Sequence, residues 1–337
     1  MKMVLTLLQL LVKFLIFLVL AGCWAWGSMA LYFTAPGPQW MRTVLAVLFV
    51  ILLPASFLLS RRFYRGVFLC AGGFAILLVW WQTLEPTNDK DWAVDVAQIS
   101  HGTIEGETLT MHNVRNFDYI DQHTPIPKWE TRTYDLANLK GLDIFLSYWA
   151  SEHIAHTILS WDFGSDGHLA ISIETRKDKT QEYSALKGFF KQFGLSYVAA
   201  TEHDIIRLRT NYRKERVYLY RLRATPEQSL VLLEEYLREM NLLVNEPKFY
   251  NALTRNCTTT IEVHANAVRE DGPPPLDWRL ILSGHVDELL YDRHGITRHL
   301  PFDELRQQSR IDLDAQRYTG DDYSGYIRER TNQFKTN

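Results

Sequence analysis

Residues 154–176 read IAHTILSWDFGSDGHLAISIETR, and this stretch decides the fold of the soluble part of the chain. Two runs of alternating apolar and polar residues flank the Asp-Gly pair at 166–167, which favours the tight turn of a β-hairpin. The odd positions are mostly apolar and the even positions mostly polar, which predicts two strands with one buried face. His156, Ser172 and Glu174 share the polar face, so we expect them to lie within reach of one another.

A second stretch, Tyr250–Thr260, carries the candidate nucleophile. It reads YNALTRNCTTT and contains Cys257, the one cysteine of the chain that follows residue 84. Asn256 is a suitable N-cap for a helix that begins at Cys257. Most free cysteines are small buried apolar residues. At a helix N-terminus, however, the amide N–H groups and the helix dipole favour the thiolate, which makes Cys257 a candidate nucleophile.

An activated thiol needs a base, and the base needs a group that orients it. His156, on the polar face of the hairpin, is the predicted base. Glu174, Ser172 and His168 are the candidates for the orienting group. The chain has no HxxxH or CxxC spacing and no Gly-rich phosphate loop, so we expect neither a metal site nor a cofactor.

The first 84 residues are strongly apolar and predict three transmembrane helices, at about 14–34, 41–60 and 66–84. Three arginines lie between residues 61 and 65, and Lys2 and Lys13 precede the first span. Positive residues favour the cytoplasmic side of a membrane. We therefore predict a bacterial inner-membrane protein with a cytoplasmic N-terminus and a periplasmic soluble domain.

The run Leu20-Ala21-Gly22-Cys23 resembles the lipidation signal of bacterial lipoproteins. The apolar sequence continues for about ten residues beyond Cys23, as a spanning helix does. We therefore favour a membrane span without lipidation of Cys23. The net charge of -3 gives no basic field for nucleic acid.

The rest of the soluble part predicts an α+β fold with an antiparallel sheet. A helix is expected from Thr225-Pro226 to about Met240, because Thr is a good N-cap and Pro fits the first helical position. The ranges 94–104 and 108–119 contain short alternating stretches that are consistent with strands. The other predicted elements are strands at 195–199, 205–208 and 216–222, a short helix at 189–193, and C-terminal helices before a poorly ordered end after Tyr326. The predicted division is a membrane anchor (1–86), a Cys/His domain (87–271) and a C-terminal helical extension (272–337).

Six stretches of the soluble part resemble the Lnb-type periplasmic domain family of bacterial envelope proteins. They are NVRNFDY (113–119), HTILSWDF (156–163), LAISIETR (169–176), TEHDIIRLR (201–209), VYLYRL (217–222) and FYNALTRNCTT (249–259). The resemblance covers roughly residues 92–315. It implies a permuted papain-like thiol enzyme in which the histidine precedes the cysteine along the chain.

Carried over by position, the resemblance makes Cys257 the nucleophile and His156 the base. Glu174 ranks ahead of His168 as the third member, because Glu174 stands in the more distinctive SIExR motif. The remaining residues predicted to shape the site or its oxyanion hole are Asn256, Thr258, Ser172 and Tyr250.

The expected reaction moves an acyl chain from a membrane phospholipid, through a Cys257 thioester, to an amine such as a lipoprotein N-terminus. Two alternatives stay open at this point. One is a periplasmic cysteine hydrolase of the same fold, acting as a peptidase, amidase or lipase. The other is a non-enzymatic envelope scaffold.

Overall fold

The computed structural model describes residues 1–60, 62–267, 269, 272–275, 277–297 and 299–329. Contacts divide the chain into two compact units. The first comprises Met1–Thr87 and Ser184–Gln192, and the second comprises Asn88–Tyr183 and Phe193–Asn337. Residues 272–329 thus belong to the same unit as the Cys/His domain and do not form a separate extension.

Three helices make up most of the first unit: α1 (Lys2–Thr34), α2 (Gln39–Ser60) and α3 (Phe63–Gln82). Within the described residues, these three are long and apolar enough to cross a membrane. The prediction of three N-terminal apolar helices is confirmed. Helix α1 begins twelve residues earlier than predicted, because its first turns consist mainly of Leu, Val and Lys and contain no Gly or Pro to interrupt them. Arg61, one of the arginines between the second and third spans, lies outside the described residues.

The first unit also includes a segment from the loop that follows the predicted hairpin. Its short helix α4 (Ala185–Gly188) is capped by Ser184, whose hydroxyl accepts a hydrogen bond from the Lys187 N–H. The observed helix therefore ends at Gly188, just before the predicted helix at 189–193 is expected to begin. Phe190 of this segment stacks on Phe33 with 5.3 Å between ring centroids.

The second unit is built on a sheet. Its strands, with the small β3–β4 pair, are β1 (His101–Glu105), β2 (Thr108–Arg115), β3 (Asp118–Asp121), β4 (Thr124–Ile126), β5 (Trp129–Asp135), β6 (Gly141–Ser151), β7 (Ile154–Asp162), β8 (His168–Arg176), β9 (Gly194–Ala200) and β10 (Arg216–Arg221). In the described part of the chain, the main sheet has the order β1-β2-β9-β8-β7-β6-β10, and β5 pairs with β2. All its pairings are antiparallel except the short contact between β2 and β9. The α+β class with a largely antiparallel sheet is confirmed.

The helices of this unit cover the sheet on both faces. They are α5 (Glu202–Arg207), α6 (Pro226–Asn245), α7 (Cys257–Ala267), α8 (Val286–Asp292), α9 (Phe302–Gln308), α10 (Asp312–Ala315) and α11 (Tyr323–Glu329). Trp161, on the odd face of the hairpin, is buried against Tyr236 of α6. Ile158, on the even face, belongs to a second buried cluster with Ile205 and Ile327. The expectation of one buried face is therefore wrong, because helices pack on both.

One predicted strand is wrong, and another occupies only the end of the range predicted to contain it, for local reasons. Residues 205–208 continue helix α5, because the Thr201 hydroxyl caps the helix by accepting from the Asp204 N–H at 3.2 Å. Residues 94–96 form a 3₁₀ turn, and β1 begins only at His101. Helix α6 starts as predicted, with a capping box between Thr225 and its N3 residue, and runs to Asn245.

The C-terminal part forms the short helices α8 to α11, as predicted. The sequence predicts a poorly ordered end after Tyr326, but helix α11 continues to Glu329. Its Arg328 is buried and pairs with Asp143 of β6 at 2.7 Å and with Glu202 of α5 at 2.6 Å. This buried ion pair network connects the end of the chain to the sheet. The rest of the predicted tail, residues 330–337, lies outside the described residues.

Candidate active site

The two strands of the central hairpin are paired at one end and separate at the other. Their paired residues run from Asp162 and His168 to Ile158 and Ser172. Beyond that point β7 continues in register with β6, and β8 continues in register with β9. The sheet is thus open between the N-terminal half of β7 and the C-terminal half of β8.

Side chains from two other segments bond to the backbone of β7 in this opening. Ala155 and Thr157 lie two residues apart, so their backbone polar groups point to the same side of the strand. The Ser283 hydroxyl donates to the Ala155 carbonyl at 2.8 Å and accepts from the Ala155 N–H at 3.0 Å. The Thr157 N–H donates to the sulfur of Cys257. The opening therefore admits the first residue of helix α7.

Helix α7 begins at Cys257 because Asn256 caps it. The Asn256 side-chain oxygen accepts from the Thr259 N–H at 2.9 Å, and the Thr259 hydroxyl accepts from the Asn256 N–H at 3.1 Å. The Asn256 amide also donates to the Ala252 carbonyl at 2.9 Å. Asn256 thus fixes the helix start, and the predicted N-cap role agrees with its contacts.

His156 lies between Cys257 and Glu174. Its Nε2 is 2.7 Å from the Ser172 hydroxyl and 3.2 Å from Glu174 Oε1. The Ser172 hydroxyl donates its proton to Glu174 Oε1 at 2.7 Å. Because that proton is used, Ser172 must accept from His156, so His156 Nε2 carries a hydrogen. Nδ1 is then the nitrogen left to form the side-chain hydrogen bond that joins His156 to Cys257.

The electrostatics of the three groups favour a thiolate–imidazolium pair. Burial lowers the pKa of His156, but the charges of Glu174 and Cys257 outweigh it and raise that pKa to about 9. Burial raises the pKa of Cys257, but His156, the Thr157 N–H and the Thr258 hydroxyl outweigh it. Together they bring that pKa from 9.0 down to about 7. Between these two values the sulfur is negative and the imidazole is positive.

Glu174 stays ionised beside this pair. Burial opposes its charge, but His156, Arg209 and Ser172 stabilise the carboxylate and hold its pKa well below the usual range. Arg209 donates to Glu174 Oε1 at 2.9 Å from a side chain that is only 5% exposed. Sequence reasoning missed Arg209, although it ends the TEHDIIRLR stretch, because the residues before it were read as a strand.

The other residues predicted to shape the site lie around the sulfur. Thr258 is buried, and its hydroxyl is 3.8 Å from Cys257 Sγ and 3.2 Å from the Thr157 hydroxyl. Tyr250 is buried, and its hydroxyl is joined by a hydrogen bond to Tyr183. Burial, and then the Cys257 charge, raise the pKa of both tyrosines, so both hydroxyls stay protonated.

Tyr183, which interacts with the Cys257 charge, and Trp149, which contacts Tyr183, are both exposed. Tyr183 is 43% exposed and Trp149 is 50% exposed, and their rings meet edge to face with centroids 5.7 Å apart. Trp149 lies near the C-terminal end of β6, whereas Tyr183 follows β8. Sequence reasoning missed both residues, since no local pattern brings them together.

His168 lies away from this site. It pairs with Asp162 at the closed end of the hairpin, where its Nε2 is 3.5 Å from the Asp162 carboxylate. Glu174 follows it by six positions along an extended strand, which is roughly 20 Å. The structure therefore does not place His168 as the partner of His156, and Glu174 occupies that position.

The arrangement of donors does not suggest a metal centre. Among the described residues, no group of three or more His, Cys, Asp or Glu side chains is placed to hold a metal ion.

The fold and site define an α+β domain with a cysteine at a helix N-terminus, a histidine beside it and a carboxylate behind the histidine. A family model described as the Lnb N-terminal periplasmic domain matches residues 126–284. This segment belongs to that family, which confirms the resemblance read from the sequence. It includes the cysteine, the histidine, the glutamate and Ser283. No curated protein and no solved structure matches the chain.

The family match and the three long apolar helices together indicate a membrane-associated protein of the cell envelope. They correspond to an inner-membrane protein with a periplasmic domain.

Proposed function

We propose that this chain is a membrane-anchored thiol acyltransferase of the bacterial envelope, with a permuted papain-like catalytic centre. The observation that carries the proposal is the Cys257–His156–Glu174 arrangement. The nucleophile stands at a helix N-terminus and bonds to the histidine, and the histidine is held by the carboxylate. Nucleophile, base and orienting group are the three parts that covalent catalysis by a thiol requires.

In the first half of the reaction, His156 Nδ1 holds the proton of the Cys257 thiol. The thiolate attacks the ester carbonyl carbon of a phospholipid, and a C–S bond forms while the carbonyl oxygen becomes negative. The N–H groups of Cys257 and Thr258, which a helix start leaves without intrahelical partners, face this region and stabilise the oxyanion. The C–O bond then breaks, and the His156 proton passes to the departing alkoxide, which leaves as a lysophospholipid.

In the second half, an amine takes the acyl group from the thioester. The neutral His156 accepts a proton as the amine nitrogen attacks the carbonyl carbon. The C–S bond breaks, an amide forms, and Cys257 and His156 return to their starting protonation states. The N-terminal amine of a lipoprotein is the proposed acceptor.

The membrane helices support a lipid donor. Three apolar helices hold the chain in the bilayer, where phospholipids and lipoproteins both reside. Lys2 and Lys13 in the N-terminal part of α1, and the arginines between the second and third helices, favour a cytoplasmic N-terminus and a periplasmic catalytic domain.

The test is to trap the acyl-enzyme. Full-length protein in detergent is incubated with phospholipid vesicles, quenched in acid and digested, and the peptide that carries Cys257 is weighed. We expect an acyl adduct that hydroxylamine removes, that is absent from Cys257→Ala, and that a lipopeptide amine discharges as an amide. Cys23→Ser is the matched control, since Cys23 lies in α1, and should leave the adduct unchanged.

Two other results would contradict the proposal. Discharge of the adduct to free fatty acid in the presence of excess amine would identify a hydrolase. The absence of any adduct, with Cys257 reacting like an ordinary thiol, would identify a scaffold.

A further inference from the structure

Arg209 is a buried cation that reaches the back of the candidate active site. One guanidinium nitrogen donates to Glu174 Oε1 at 2.9 Å, and another donates to the Ile205 carbonyl at 2.8 Å. The side chain is 5% exposed. A buried guanidinium is costly unless its donors are satisfied, so these two bonds fix its position.

The backbone around Arg209 is unusual. Helix α5 passes into a wider π-type turn at Leu208–Tyr212, in which the Arg213 N–H bonds to the Leu208 carbonyl at 2.9 Å. Such turns are rare and are frequent at functional sites.

The neighbouring arginines pair elsewhere. Arg207 contacts Asp118 at 2.9 Å, and Arg213 lies 3.8 Å from Glu215. Arg209 is directed at Glu174 instead, which faces His156. The segment thus has three guanidinium groups of the same chemistry. The fold directs that of Arg209 to the Glu174 carboxylate, which lies beside the predicted base.

Glu174 needs such a partner to keep its place. Its side chain is 24% exposed, so rotation about its own bonds would bring the carboxylate to water and away from His156. Ser172 holds Oε1 at 2.7 Å, but a hydroxyl is a neutral donor. A hydrogen bond from a charged donor is roughly twice as strong as a neutral one. The ion pair with Arg209 therefore opposes this rotation more strongly than the Ser172 hydroxyl does.

We propose that Arg209 is a positioning residue, which holds the Glu174 carboxylate ionised and directed at His156 Nε2. This inference rests on the proposed function of the Cys257–His156 pair. It assigns Arg209 no contact with substrate. Its whole effect on the sulfur passes through Glu174 and His156.

A positioning role and a direct charge effect predict opposite results. The positive charge of Arg209 by itself lowers the pKa of His156, so its removal alone would raise that pKa. If Arg209 instead keeps Glu174 in place, its removal loosens the carboxylate, and His156 loses its proton at a lower pH.

The experiment measures the pH at which His156 loses its proton, without any natural substrate. Full-length protein in detergent is alkylated with iodoacetate, and modification of Cys257 is followed by peptide mass spectrometry. The negative charge of iodoacetate favours attack beside a protonated imidazole, so the rate should fall near pH 9 in the unchanged protein. We expect Glu174→Gln to move this fall to lower pH by about one to three units. Arg209→Gln should move it in the same direction by about one unit.

Three comparisons make the result specific. Arg209→Lys, which keeps the charge and one donor, should show a fall close to that of the unchanged protein. Arg207→Gln is the matched control and should leave the fall where it is, because Arg207 pairs with Asp118. In a Glu174→Gln background, Arg209→Gln should cause no further shift to lower pH, since the carboxylate that Arg209 positions is gone and the loss of the Arg209 charge by itself moves the fall upward.

A fall in rate that stays near pH 9 or moves upward in Arg209→Gln would overturn the inference about Arg209 alone, provided that Glu174→Gln moves it down. An unchanged protein whose Cys257 reacts like an ordinary thiol would overturn the proposed function as well.

If Arg209→Gln does not fold, the pair Glu174→Gln and Glu174→Gln/Arg209→Met decides the question. Neutral replacement of both members of a buried ion pair is well tolerated. A fall in the double variant at the same pH as in Glu174→Gln, or above it, supports the inference, and a further shift to lower pH overturns it.

Discussion

The two ends of the β7–β8 hairpin carry the same pair of residue types but differ in what surrounds them. At the closed end, His168 lies 3.5 Å from Asp162, and the strands are paired. At the open end, His156 lies 3.2 Å from Glu174, and the strands have separated. A helix N-terminus enters only at the open end, so only His156 lies beside a thiol.

The comparison teaches that a histidine next to a carboxylate is not enough to mark a base. At the closed end, Asp162 also pairs with Arg221 at 2.7 Å, and the buried Nε2 of His168 makes no hydrogen bond within the described part of the chain. At the open end, Ser172 and Arg209 hold the carboxylate, and the histidine keeps one nitrogen for the sulfur. The separation of the strands decides which histidine gains a reactive partner.

The largest expected difference between the two ends comes from removing each histidine. His156→Ala should raise the midpoint of Cys257 alkylation by iodoacetamide from about pH 7 towards the ordinary value of 9.0. It should also slow formation of the acyl-enzyme by about 10²- to 10⁴-fold, because the general base is lost. His168→Gln should leave the midpoint unchanged. Equal effects of the two substitutions on the midpoint would remove the distinction between the two ends.

Changing the pH should change the charges of Cys257 and His156 at the open end. Since the folded pKa of Cys257 is depressed to about 7, its thiolate fraction should rise roughly tenfold from pH 6 to pH 8. The folded pKa of His156 is raised to about 9, so its contribution to stability is complete below 6.5 and is lost as the pH rises through 9. Peptide-resolved alkylation measures the first effect. Comparing the pH dependence of thermal unfolding in the unchanged protein and in His156→Ala measures the second, and parallel curves would argue against a raised pKa.

Neutralising the carboxylate at either end of the hairpin should slow acyl-enzyme formation less than removing His156 does. Glu174→Gln should slow acyl-enzyme formation by about 10-fold or more, because the pKa of His156 falls by about one to three units. Asp162→Asn should leave this rate within about twofold, and it should act on stability through the lost pair with Arg221. Single-turnover rates of both proteins provide the measurement. A tenfold loss in Asp162→Asn would show that the closed end also serves the chemistry.

The smallest effect on chemistry is expected from Ser283, which bonds to β7 where β7 and β8 separate. Ser283→Ala leaves the Ala155 N–H and carbonyl without the hydroxyl that now bonds to both. We expect a loss of about 1–3 kcal/mol in the free energy of unfolding and faster amide exchange at Ala155. The alkylation midpoint of Cys257 should stay near pH 7. A large shift of that midpoint would mean that Ser283 acts on the sulfur.

Local sequence patterns predicted the parts of this protein that depend on near neighbours. The alternation in 154–176 gave the hairpin, the capping residues Asn256 and Thr225 gave the starts of α7 and α6, and the apolar runs gave the three N-terminal helices. The same reasoning failed at 205–208, where a capped helix replaced a predicted strand. Four residues carry too little periodicity to distinguish a buried helix from a strand.

The sequence by itself determined which residues were available: one thiol outside the apolar region, and a histidine and a glutamate on one face of a hairpin. The tertiary structure decided how they combine. The separation of β7 from β8, the backbone bonds made by Ser283 and Cys257, and the reach of Arg209 to Glu174 all join residues that are distant along the chain. Local pattern cannot encode such contacts, because they depend on how the helices pack on both faces of the sheet.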